Sequence, residues 1–279
     1  MASPKSDLRE DLPALAELEF RLAQLHCVSC DDYHALWGYE RLARSKGNSF
    51  EIERDILQRL LHGYLPSHGR ALIAGAADAG LLALVAQLTR ELSPHITIAD
   101  RCATPLNVCR RYAEDHGLSV MTAHTDLTAA TIEAKHDLAF AHNVLMLLPR
   151  TVHVAFLSNI RRSLSFGGVF VLVNRVRVAK PVRLPPAHYA VRIMEGLAER
   201  GISLPERESE FRKRLESYAD RQHTWSDAVV DLKHVESVLS AVGFRILERV
   251  DHDRRRTNPD RDGGGAKPMP THIFVATAK

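Results

Sequence analysis

The chain has 279 residues, 45% hydrophobic and 25% charged, with a formal net charge of +3. That balance suits a globular chain with a full core, either one large α/β domain with an extension or two small domains. It gives no ground for nucleic acid or a membrane as the main partner. No apolar run is long enough to cross a bilayer. The N-terminus "MASPKSDLREDLPALAELEF" carries acids and lacks a signal-peptide core, and four cysteines make no disulfide framework, so a cytoplasmic protein is expected.

Residues 7 to 65 are helical in pattern. Leu15, Leu18, Leu22 and Leu25 recur at helical spacing, as do Ile52, Ile56, Leu60 and Leu61. Between them lies an aromatic stretch with Tyr33, Trp37 and Tyr39, suited to a lid over a site, to helix packing, or to a dimer interface. Cys27 and Cys30 form a single C-x-x-C; without a second pair at matching spacing it points to inward residues of a helix and to no metal. Cys102 and Cys109 lie seven residues apart and are read as core.

From residue 70 the period changes. The runs "RALIAG", "HITIAD", "LSVMTAHTD", "HDLAFAHNVL" and "GGVFVLVNRV" are predicted strands, and helical segments of 9 to 16 residues separate most of them. Such alternation predicts a parallel sheet with right-handed crossovers. A polar, proline-punctuated helical insert follows at about 178–228, with His188, Tyr189, Tyr218 and His223 as candidate substrate contacts. The last strands, "FRILERVDHD" and "THIFVATA", are joined without a helix, which predicts an antiparallel pair. The joining stretch "DHDRRRTNPDRDGGGAK" has Arg254 to Arg256 but no aromatic platform, and is read as a solvated turn.

Ligands of open α/β sheets bind beyond the carboxyl ends of the strands. The first strand ends at Gly75 in "GAADAG", where glycine permits close approach and the next helix offers free N–H groups. The second ends at Asp100, 20 residues beyond Gly80, placed to accept from ribose hydroxyls or to cap the helix after it. The third ends in "HTDL": Asp126 can take a base amino group and Leu127 its face, or Asp126 can cap a helix "LTAATIEA". The fourth runs into His142 and Asn143, a candidate base and its neighbour at the cleft floor.

These strand ends, with "SLSFGGVFVLVNRV" and "LSAVGFRILERV", resemble the class I S-adenosylmethionine-dependent methyltransferases over residues 70 to 279. The helical N-terminus and the long insert resemble the small-molecule branch. The resemblance implies a Rossmann-like seven-stranded, mostly parallel sheet of order 3-2-1-4-5-7-6 with strand 7 antiparallel. It divides the chain into a helical N-terminal lid at 1–66 and a cofactor domain at 67–279. S-adenosylmethionine is the implied cofactor: Asp100 and Arg101 at its ribose, Asp126 and Leu127 around its adenine, and Gly75, Ala77, Asp78 and His142 near its methionine end. His142, Asn143 and Tyr218 are the implied catalytic candidates, and no metal is implied. A small molecule is the implied substrate, with a homodimer through the N-terminal helices.

The family's loop usually has an acidic residue followed by G-x-G-x-G; here Ile73 takes the acidic position and Ala77 and Ala79 the later glycines. Alanine is cheap at negative φ and costs about 1 kcal/mol at positive φ. Either Gly80 takes a glycine role, or the amino-acid end is held otherwise, with Asp78 as the local substitute. Three activities follow from that loop: methyl transfer, intramolecular cyclisation of the cofactor releasing methylthioadenosine, or binding without catalysis.

Overall fold

The computed structural model describes residues 8–27, 30–44, 51–175, 185–226, 231–252 and 271–278. Seven strands build one sheet: β1 (Arg70–Ala74), β2 (His95–Asp100), β3 (Val120–His124), β4 (His136–His142), β5 (Leu164–Arg175), β6 (Phe244–His252) and β7 (Thr271–Ala278). Their order is β3-β2-β1-β4-β5-β7-β6. The first five strands pair in parallel, and β7 runs antiparallel to both β5 and β6. This is the order and polarity the sequence predicts. The stretch with Arg254 to Arg256 lies outside the described residues.

The helices are α1 (Leu8–His26), α2 (Tyr33–Arg44), α3 (Glu51–Tyr64), α4 (Gly80–Leu88), α5 (Ala103–Asp115), α6 (His153–Ser163), α7 (Pro186–Ala198), α8 (Glu208–Ser226) and α9 (Leu232–Ala241). Strand side chains alternate between two faces. Ile73, Phe140, Val171 and Val275 meet α3, α4 and α5. Leu72, Ala139, Phe170 and Phe274 meet α6 and α9. Helix α4, "GLLALVAQL", is apolar nearly all round because it is covered nearly all round; only Ala86 and Gln87 escape full burial. At α9 the Asp231 carboxylate accepts from the His234 N–H at 2.7 Å, satisfying a donor that the helix itself cannot.

A separate helical cap joins two distant segments of sequence. Helices α1 and α2 pack with α7 and α8 of the insert around Phe20, Tyr39, Phe211, Leu215 and Tyr218. Phe20 and Phe211 both meet the Tyr39 ring nearly edge-on, at 6.1 and 5.4 Å between centroids. Glycines set the close approaches: a Cβ on Gly38 would lie 2.8 Å from that of Ala16, and one on Gly196 2.6 Å from the Ala43 carbonyl oxygen.

The leucine stripe expected to face inward on α1 does so only in part. The buried face carries Ala16, Glu19, Phe20 and Ala23, while Leu15 and Leu22 are half-buried and Leu25 is 72% exposed. The physical reason is that α1 lies between α2 and α5, and its approach to α2 demands small residues. Helix α3 belongs to the sheet layer, with Leu57, Leu60 and Leu61 in the core beneath β1. The Ile52 side chain lies outside the described residues. Among the described residues, no helix is long and apolar enough to cross a membrane.

Candidate active site

A cleft with about 960 Å³ of open space, its mouth included, lies beyond the carboxyl ends of β1, β2 and β4. That is the place and size expected of a cofactor site in such a sheet. The loop after β1 forms its floor. Gly75 has φ +86°, and a Cβ there would come within 2.8 Å of Val144 Cγ2, so this position needs glycine on two counts. Ala77 and Ala79 are not among the described positive-φ residues, and Ala79 sits at φ −74°. The alanines therefore replace glycines without strain.

Two residues of the loop differ from expectation. Ile73 is 1% exposed and buried under the helices of the first sheet face, so a residue there contributes core packing and reaches no ligand. Asp78, read as a contact for the cofactor's amino-acid end, does not line the cleft. Its carboxylate accepts from Trp37 Nε1 at 3.1 Å and from its own loop at Gly80 N at 2.6 Å, and it pairs with the Arg41 guanidinium. A cationic and an indole donor offered by α2 outcompete a distant ligand for one carboxylate.

The next strand ends behave as the sequence predicts. Asp100 lines the cleft and is held in place by two backbone donors, Ala76 N at 2.9 Å and Cys102 N at 2.7 Å. Each bond occupies one oxygen, leaving lone pairs for further donors. Burial pushes its carboxyl above the usual range, opposed by the nearby His34 and by the two N–H groups. Asp100 acts on the turn before α5 and does not cap that helix, whose N-cap is Cys102. Arg101, Asp126 and Leu127 also line the cleft. The "LTAATIEA" segment forms a turn and no helix, because Asp126 Oδ1 takes both Thr128 N and Thr128 Oγ1, at 2.8 and 2.7 Å. From α6, Asn159 Nδ2 donates to the Leu127 carbonyl at 2.9 Å and fixes that loop.

His142, the last residue of β4, lines the cleft and has a partner that sequence reasoning missed. Its Nε2–H donates to Glu53 Oε2 at 3.0 Å, and Glu53, on α3, is fully buried. Asn143 sits at φ 58° and accepts from the Arg175 N–H through Oδ1 at 2.9 Å. That bond turns its amide so that Nδ2–H donates to His142 Nδ1 at 3.1 Å. The ring is thereby fixed as the Nε2–H tautomer with the Nδ1 lone pair outward, the orientation a carboxylate imposes on a catalytic histidine. Glu53 carries no signal in sequence, since a glutamate in an amphipathic helix reads as solvated.

Tyr218 is corrected from a catalytic candidate to a cap residue. It is fully buried on α8, where its hydroxyl donates to Glu40 Oε2 at 3.3 Å, and it does not line the cleft. His188 is exposed on α7, Tyr189 is half-buried beside the Arg44 guanidinium, and the His223 side chain lies outside the described residues.

The cap closes the cleft from above. Tyr33 lines it and stacks on Trp37 at 5.7 Å, whereas Tyr39 is core. His34 Nδ1–H donates to the Ala77 carbonyl at 3.1 Å, so α2 grips the β1 loop at both Ala77 and Asp78. The cysteines depart from their predicted places. Cys27 follows the last residue of α1, and Cys30 lies in the turn before α2, beside Asp31 and Asp32 with φ of 46° and 60°. Cys102 comes across from the β2–α5 turn to within 3.3 Å of Cys27, sulfur to sulfur, while Cys109 Sγ–H donates to the Asp78 carbonyl at 3.6 Å. Hydrogen bonds from Cys27 and Cys30 pull the Cys102 thiol well below the ordinary thiol range.

No family model matches the chain, and no curated protein is similar to it by sequence. Solved structures do match. The magnesium protoporphyrin IX methyltransferase of Synechocystis PCC 6803, with bound S-adenosylhomocysteine, is 12% identical with a TM-score of 0.53 over 89% of this chain and 96% of that one. The N-methyltransferase NodS of Bradyrhizobium japonicum WM9, also with S-adenosylhomocysteine, is 16% identical with a TM-score of 0.51 over 93% and 98%. A methyltransferase from Aquifex aeolicus is 12% identical with a TM-score of 0.52 over 86% and 98%. Together with the strand order and the site at the sheet's carboxyl end, these likenesses establish that the chain has the fold of the class I S-adenosylmethionine-dependent methyltransferases.

Proposed function

We propose that the protein is an enzyme that binds S-adenosylmethionine in this cleft and directs its methyl group to a small molecule. The observation that carries the reading is Asp100: a carboxylate at the end of β2, pre-aimed by two backbone N–H groups, on a cleft wall that continues into Asp126 and Leu127. The site fits a nucleoside with an attached amino acid. Asp100 takes the ribose hydroxyls, Leu127 the adenine face, Asp126 the adenine amino group, and glycine at 75 leaves room for close approach. With Asp78 committed to α2, Asp31 of the cap is the carboxylate on the cleft wall that receives the ammonium.

When bound, the cofactor supplies an activated methyl on a sulfonium. The chain's residues then align the acceptor, exclude water and accept a proton where the acceptor must lose one. His142 Nδ1 is that proton acceptor, and Glu53 balances the positive charge formed on the ring. In Glu53→Gln the support for the imidazolium is lost. The expected result is a fall in kcat of about 10–100-fold with an unchanged cofactor Kd, largest below neutral pH.

Titration calorimetry with S-adenosylhomocysteine tests the binding. Asp100→Ala should weaken it by about 10–100-fold, the loss of one or two charge-assisted hydrogen bonds. An unchanged Kd, or no heat with the unaltered chain, sinks the reading and favours a binding protein of another kind. Labelled cofactor distinguishes the two chemistries: homocysteine-bearing product means methyl transfer, and methylthioadenosine released without an acceptor means cyclisation. A homodimer through α1, where Leu25 is exposed, and a cytoplasmic location belong to the same proposal. Sedimentation checks the first and fractionation the second.

A further inference from the structure

We infer that Cys27, Cys30, His34 and Cys102 form a structural zinc site that ties the cap to the cofactor-facing end of the sheet. One donor atom from each of the four lies within 4.8 Å of every other. A tetrahedral Zn²⁺ with three thiolates and one imidazole places its donors about 3.5–3.8 Å apart, so small side-chain rotations complete the shell. Three sulfurs and one nitrogen are the donor set of structural zinc and a poor set for the oxygen-seeking ions.

Three features beyond proximity point to a metal. The first is the histidine. Its Nδ1–H is committed to the Ala77 carbonyl, which leaves Nε2 with its lone pair toward the sulfurs. A metal-bound histidine keeps its other nitrogen on a carbonyl or carboxylate in this way. The second is the local backbone. Asp31 and Asp32 take left-handed conformations directly after Cys30, and this turns the chain so that Cys27, Cys30 and the first turn of α2 face one point. The third is the burial. Cys30, His34 and Cys102 are buried and Cys27 is half-buried, and all four cysteines are free. Three thiols crowded on an imidazole inside a protein gain little from one another, since S–H is a weak donor, whereas one cation satisfies all of them.

The site bears on the cleft through Cys102, whose N–H holds Asp100, and through His34, whose ring holds Ala77. Four protein ligands leave no open position, so the ion orders the wall and does not act on the substrate.

The test needs no nucleotide, so its failure and that of the cofactor reading are distinguishable. The full chain, purified without a histidine tag, should carry about one zinc per chain by elemental analysis. Replacing zinc by Co²⁺ should produce the sulfur-to-cobalt charge-transfer band and the intense visible absorption of a tetrahedral thiolate site. Cys102→Ser and Cys27→Ser should lose most of the metal, whereas Cys109→Ser should keep it. Should the first two variants fail to fold, zinc released from the unaltered chain by a mercurial reagent, tracked against thiols modified, gives the same answer. The inference is overturned if the protein is metal-free and takes up neither Zn²⁺ nor Co²⁺. It is also overturned if mass spectrometry finds a Cys27–Cys102 disulfide, or if metal content is indifferent to Cys102.

Discussion

The sheet and the cap are held together by different physics. In the sheet, alternating side chains bury two apolar layers, and most residues that face inward are aliphatic or aromatic. The cap has its own small apolar centre, but it meets the cleft through polar contacts: His34 on Ala77, Trp37 and Arg41 on Asp78, and the sulfur cluster at Cys102. Apolar layers are redundant and tolerant of partial loss, whereas a polar junction fails group by group. The cap is thus positioned for function by a few side chains, and the sheet is stabilised by many.

The largest expected effect is in the sheet. Phe140 is almost fully buried between the strand neighbours of β4 and the helices above, so Phe140→Ala should cost about 3–5 kcal/mol. Urea denaturation should show it, with cap and sheet losing structure together. A cap that melts separately at lower urea would sharpen the contrast into two cooperative units.

Gly75→Ala tests the floor they share. It forces an L-residue to φ +86° and drives a methyl into Val144, for about 1–3 kcal/mol. Cofactor affinity should fall with it. The reciprocal Ala77→Gly should leave affinity within a few-fold, since that site is already unstrained. Equal losses in the two variants would mean that the loop's shape, as described, is not what the ligand needs.

Asp78→Ala attacks the junction alone. It strands Arg41 and Trp37 at positions that are mostly buried, at a cost of about 1–2 kcal/mol. Amide exchange should quicken in α2 while β1 and β4 keep their protection. A uniform loss across both regions would show that the cap is integral to the sheet's stability, contrary to the contrast drawn above.

The same contrast explains what the sequence disclosed. Alternation and period are properties of neighbouring residues, so the strands, their order and the antiparallel end were legible, and Asp100 was found from its distance to Gly80 and its place at a strand end. Contacts between distant segments leave no local trace. Glu53 meets His142 across 89 residues, and Cys27 meets Cys102 across 75. Asp78 has the right loop and the wrong direction, because Arg41 arrives from a helix whose docking site no local pattern reveals. Ile73 shows the converse: an unusual residue at a motif position proved to be ordinary core.

The smallest effect separates the two faces by pH. On the second face, far from the cap's polar junction, His153 of α6 donates Nε2–H to the Leu148 carbonyl at 3.0 Å and accepts from His234 of α9 at 2.9 Å. Burial lowers the pKa of both rings, and Arg150 beside them adds to the lowering. A folded-state pKa below the unfolded value near 6.5 means that the unfolded chain binds the proton first. Stability is therefore full above that value and declines as pH falls toward the folded pKa, then levels off. Asp231, held low by the His234 N–H and by Arg150, keeps its charge through this range and limits the decline. Replacing His234 with Gln keeps a donor toward His153 and removes one titrating ring, so the urea midpoint should drop less between pH 7 and pH 5 than in the unaltered chain. An unaltered slope would locate the acid sensitivity in the cap's junction, where His34 and the cysteines lie, and would make that polar joint the weaker of the two regions in acid as well as in sequence.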